Sequence, residues 1–132
     1  MWRRTRRRCD GELWSVVFQF EVWRVSDLPP FEGHEAARSE NADFYRSFKW
    51  KRDPNWLRVA QVSVECVRRS SAWSHGDWLR VGDRAFPEPP DRYAFGSLFG
   101  GVSVSASTWY DGRHRALAQI DAGALEIVAR CD

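Results

Sequence analysis

Lysine is almost missing from this chain: Lys49 and Lys51 stand against eighteen arginines, and isoleucine and asparagine occur twice each. Arginine codons are GC-rich and the codons of the scarce residues are not, so a GC-rich, bacterial coding background explains the imbalance. The arginines therefore cannot be taken one by one as phosphate ligands. Long apolar runs are also lacking. Val16-Val17-Phe18 stops at Gln19, far short of the roughly 18 residues that would span a membrane. Cysteine is limited to Cys9, Cys66 and Cys131. The three are too widely spaced for a zinc motif, and their odd number fits unpaired thiols in a reducing cytoplasm. The arginine pairs near the start are followed by Cys9-Asp10-Gly11-Glu12 rather than an apolar stretch, so export is not expected.

Catalytic signatures are lacking too. Gly96-Ser97-Leu98-Phe99-Gly100 has the wrong spacing for a nucleophile elbow. The glycine run from Gly96 to Gly101 has no Lys-Ser/Thr to make it a phosphate loop, and is expected to turn the chain instead. His34, His75 and His114 show no metal-ligand spacing. No catalytic residue, metal or cofactor is assigned. A small enzyme would have to assemble its site from loops, with His75, His114 and an acid as the candidates.

What is present is a soluble-type composition of 132 residues, 43% hydrophobic and 29% charged, enough for one core without staples. Five arginines (Arg3, Arg4, Arg6, Arg7 and Arg8) crowd the first nine residues. The net charge of +2 less these 5 leaves the body near −3. The chain thus divides into a flexible basic arm over residues 1–9 and a β-rich domain over 10–132.

Alternation governs the β assignment. Trp14, Val16, Phe18, Phe20 and Val22 share one face of a strand over residues 12 to 25, ended by Leu28-Pro29-Pro30. Residues 34–48 are either a short helix or a long loop. Trp56, Ala60, Val62, Val64 and Cys66 alternate with Gln61, Ser63 and Glu65, predicting a second strand over 56 to 68, and a short strand is expected over 77 to 81. After a long excursion through Pro87-Glu88-Pro89-Pro90, three strands are predicted between Val102 and Cys131, turning at Asp111-Gly112 and Ala122-Gly123. The expected fold is mainly β, or α+β: an antiparallel meander closed into a small barrel or a strongly curved sheet.

Eight tryptophans remain to be placed. Trp14 and Trp56 lie on apolar faces and read as core, while Trp50, Trp73 and Trp78 border loops. Trp23 and Trp109 fall on polar faces, beside Glu21 and Ser105. Indoles there either cover the chain's own apolar surface or anchor a partner. Trp23, Trp109, Trp78 and Trp73 are accordingly the candidate binding residues. The expected function is a binding module without its own chemistry, engaging a protein or an apolar ligand, in a bacterial accessory, immunity-like or phage setting. Nucleic-acid binding through the arginine arm is the alternative.

Overall fold

The computed structural model describes residues 16–30, 52–105 and 107–131. Among them five strands and four α-helices alternate: β1 (Val17–Arg24), α1 (Trp56–Arg69), β2 (Ala72–Ser74), α2 (His75–Ala85), α3 (Pro89–Ser97), β3 (Ser103–Val104), β4 (Trp109–Asp111), α4 (Arg113–Asp121) and β5 (Glu126–Cys131). Short 3-10 turns follow β1 and α3. The main sheet is antiparallel in the order β2-β1-β5, and β3 and β4 form a separate ribbon. The fold is therefore mixed α+β with no closed barrel, and the mainly β expectation is corrected. The basic arm, the stretch from 34 to 48 and Trp14 and Trp50 lie outside the described residues.

The largest correction is α1, which replaces the strand expected over 56 to 68. Its N-terminus is specified locally. Pro54 precedes the cap, and the Asn55 side chain accepts the Arg58 amide at 3.1 Å, satisfying one of the first-turn donors. Asp91 Oδ1 accepts the Asn55 amide at 2.7 Å from across the fold. At the other end Arg68 and Arg69 complement the helix dipole. Trp56, Val59, Ala60, Ser63 and Val67 are all buried, a period of three to four. Val62, Val64 and Cys66 are buried as well. A helix enclosed on most sides carries apolar residues at strand spacing also, and this made the period ambiguous.

Two further segments expected to be strand or loop are helical. Ser74 caps α2 by accepting the Asp77 amide at 3.1 Å, so the strand expected over 77 to 81 is helix. Pro89 and Pro90 open α3, where a missing amide costs nothing. The middle strand of the expected three-stranded meander is α4. Gly112 does not close a hairpin. It sits at φ +75°, and a Cβ there would lie 2.3 Å from the Gly101 carbonyl oxygen. Glycine is required because the backbone crosses the Gly101–Val102 segment at contact distance. Of the expected meander the third strand survives as β5, whereas the first is broken into the two-stranded ribbon of β3 and β4. Gly123, at φ +104°, makes the turn expected before β5.

Strand alternation divides the packing between the two faces of the main sheet. On one face Phe20 and Val128 join α1, α2 and α3 in a core containing Trp56, Trp78, Phe86, Phe95 and Phe99. Its rings form a continuous series: Phe20 stacks on Trp78 at 5.4 Å, Trp78 on Phe95 at 4.5 Å, and Phe99 meets Phe20 at 5.6 Å. On the opposite face Ile127 and Ala129 pack with Ala60, Val102, Ala116 and Ala124. The half-buried rings of Trp23 and Trp109 close this second core.

Candidate binding surfaces

The four tryptophans singled out from the sequence divide between the two cores, Trp73 and Trp78 with the first and Trp23 and Trp109 with the second. Trp78 is wholly buried at 0% exposure, with Nε1 donating to the Phe95 carbonyl at 2.8 Å. Trp73, half-buried on β2, lies edge-on to it at 5.6 Å and donates to the Ser70 carbonyl. Trp23 pairs across the sheet with Ile127 and donates to Glu21 Oε2 at 2.9 Å. Trp109 reaches back to the first third of the chain, sharing its Nε1–H between the Pro29 and Pro30 carbonyls at 3.2 Å each. Arg3, Arg4, Arg6, Arg7 and Arg8 lie outside the described residues.

His75 and His114 are not brought to one site. His114 borders a small opening with Trp109, Tyr110 and Arg113, whereas His75 lines a cleft between α2, α3 and α4. Among the described residues no three His, Cys, Asp or Glu side chains are grouped to hold a metal. Nor is any helix among them long and apolar enough to cross a membrane. Cys66 is a buried member of the aromatic core, and burial pushes its thiol pKa up.

Two concave surfaces stand out, and neither was evident from the sequence. The first is a groove of about 580 Å³ between α1 and the turn that enters β5. Leu57, Ala60, Val64 and Ala124 form its apolar floor, and Gln61, Glu65, Arg68, Arg69 and Glu126 its polar rim. Leu125 stands at its edge with 82% of its surface exposed. Arg68 and Glu126 form an ion pair across the groove. Arg69 donates only to the Cys66 sulfur, at 3.8 Å, and has no carboxylate partner among the described residues.

The second surface is the cleft of about 470 Å³ at His75. The imidazole lies parallel to the Phe99 ring at 4.7 Å, continuing the aromatic series of the core to the surface. Burial holds its pKa below the ordinary histidine value, because the charged form is the one desolvation penalises. Arg92 enters from α3 and Arg115 from α4, and both are half-buried. Each is anchored by backbone rather than by an acid. Arg92 Nη1 donates to the Phe86 and Pro87 carbonyls at 3.0 and 2.9 Å, and Arg115 Nη1 to the Gly101 carbonyl at 3.2 Å. Among the described residues no Asp or Glu belongs to the lining.

No protein-family model, curated protein or solved structure matches this chain.

Proposed function

We propose that the protein is a small binding module, without chemistry of its own, that engages a protein partner through the groove beside α1 in a reducing cytoplasm. The observation that carries this reading is Leu125. A leucine 82% exposed beside an apolar floor leaves surface that a partner can remove from water. The polar rim around that floor has the arrangement of a recognition surface. The chemistry of the rim describes the partner. Arg68 is already matched by Glu126 and Arg69 has no carboxylate among the described residues, so the docking segment brings an apolar side chain for the floor and a carboxylate for Arg69.

A photoreactive residue at position 125 tests this in cells producing the full chain. The expected result is a discrete adduct with one other protein, lost in Arg69→Glu and restored when the partner's matching acid is changed to Lys. An adduct of twice the chain's own mass would reassign the groove to self-association. An adduct indifferent to Arg69→Glu, or none at all, would overturn the reading.

A further inference from the structure

Among the described residues, the cleft at His75 has a composition that the groove beside α1 lacks: two arginines and no acid. A guanidinium carries five N–H donors in a fixed fork. In Arg92 and Arg115 only Nη1 is engaged, by uncharged carbonyl oxygens. Nε and Nη2 of both have no acceptor among the described residues. These carbonyl contacts fix the direction of each side chain but leave its charge uncompensated. That differs from Arg24, Arg52, Arg68 and Arg80, each of which faces a carboxylate. Half-burial strengthens the attraction of such a pair for an anion, because fewer waters compete for the donors.

Apart from Ser97, whose hydroxyl donates to the Ala94 carbonyl, the remaining lining is made mainly of rings and one aliphatic side chain. Leu79, Tyr93, Phe99 and the His75 imidazole supply the walls, and Gly96 and Gly100 leave the space between them open. A Cβ added at Gly100 would come to 4.0 Å from Arg115 Nη2, so the guanidinium of Arg115 lies over that glycine. Tyr93, 43% exposed, lines the mouth. The volume of about 470 Å³ falls within the range of small-molecule sites, roughly 300–1,000 Å³.

We propose that this cleft is a binding site for a small aryl anion, an aromatic ring bearing a carboxylate or a phosphate ester. Arg92 and Arg115 grip the anionic group, and the walls formed by Tyr93, Leu79 and His75 hold the ring. Phosphate and carboxylate both present a pair of oxygens that the planar guanidinium fork can bind bidentately. The two sources are separated by experiment. The site lies apart from the groove beside α1, and its occupancy does not depend on a partner there.

Titrations of the full chain with phenyl phosphate, benzoate, inorganic phosphate and benzyl alcohol, followed through the arginine Nε–Hε NMR signals, test the proposal. Phenyl phosphate or benzoate is expected to shift the Arg92 and Arg115 signals saturably and to bind more weakly as salt rises. Whichever binds more tightly identifies the anionic group. Arg115→Gln is expected to weaken binding about tenfold or more, with Arg115→Lys intermediate. Tyr93→Ala should weaken the aryl ligands while leaving inorganic phosphate unchanged. Arg92 also holds the turn after α2, so the melting temperature of each variant is measured alongside, and Arg115 and Tyr93 carry the test. Benzyl alcohol binding as tightly as phenyl phosphate, inorganic phosphate matching it, or saturation unaffected by Arg115→Gln would each overturn the proposal.

Discussion

One face of the central sheet is packed with rings and the other mainly with methyl groups. The first core joins Phe20, Trp56, Trp78, Phe86, Phe95 and Phe99. The second has four alanines, with Val102 and Ile127 as its larger buried members. The difference is one of mechanism. Aromatic side chains bury large areas each and hold α2 and α3 on the sheet by side-chain volume. Alanines bury little, so the second face depends on close backbone approach, on Gly112 crossing the Gly101–Val102 segment, and on two half-buried indoles as lids. The first core should therefore fail when a ring is removed, and the second when its closure is loosened.

Trp78→Ala is the severest test of the contrast. The ring is fully buried, stacked between Phe20 and Phe95, and bonded to the Phe95 carbonyl. Its loss should cost about 3–5 kcal/mol, measured by urea denaturation, and a cost under about 1 kcal/mol would contradict a jointly packed aromatic core. Trp109→Ala should be milder, about 1–3 kcal/mol, because its ring is only half-buried. It should also loosen the Pro29-Pro30 end of the β1 segment, which exchange of the Val25 and Leu28 amides would report. Equal losses at positions 78 and 109 would erase the distinction between the two cores.

An opposite sign is expected at Gln119. Its side chain is fully buried, Nε2 donates to the Arg115 carbonyl at 2.9 Å, and Oε1 has no partner among the described residues. Gln119→Leu removes a buried unsatisfied acceptor and should raise stability by about 1 kcal/mol. A loss of that size would mean that the amide is satisfied in solution. The smallest effect is the pH dependence at His75. Burial lowers its folded pKa, so on acidification the unfolded chain takes up the proton first, from about pH 6.5 downward. Stability contributed by the neutral imidazole is complete above that value and declines as pH falls. His75→Gln should flatten this part of the stability profile between pH 7.5 and 5. An unchanged slope would assign it to other groups.

The sequence made β1 and β5 legible because each is paired with the other in a regular ladder, where period-two alternation maps directly onto two faces. Gly123 was legible for a similar reason, as a turn residue before a strand. The helix α1 was not, because valines at 59, 62, 64 and 67 fit strand propensity and burial on most sides blurs the period. The deciding signal was local, in Pro54-Asn55, where a helix start is written in two residues. Asp111-Gly112 misled because the same dipeptide serves a hairpin or a tight backbone crossing. The cleft at His75 was beyond reach for another reason. Its arginines belong to α3 and α4 and its histidine to α2, and a composition rich in arginine hides two that lack acids.

The edge-on contact of Trp73 and Trp78 at 5.6 Å has a consequence for observing this molecule. Both indoles are held by their own hydrogen bonds to backbone carbonyls, of Ser70 and Phe95 respectively, so their transition dipoles keep a fixed mutual angle. Two identical chromophores so close and so oriented exchange excitation, and the native protein should show a split pair of circular dichroism bands of opposite sign. That signal reports on the packing of the aromatic face. Trp78, wholly buried, should emit at shorter wavelength than the half-buried Trp23 and Trp109 of the opposite face.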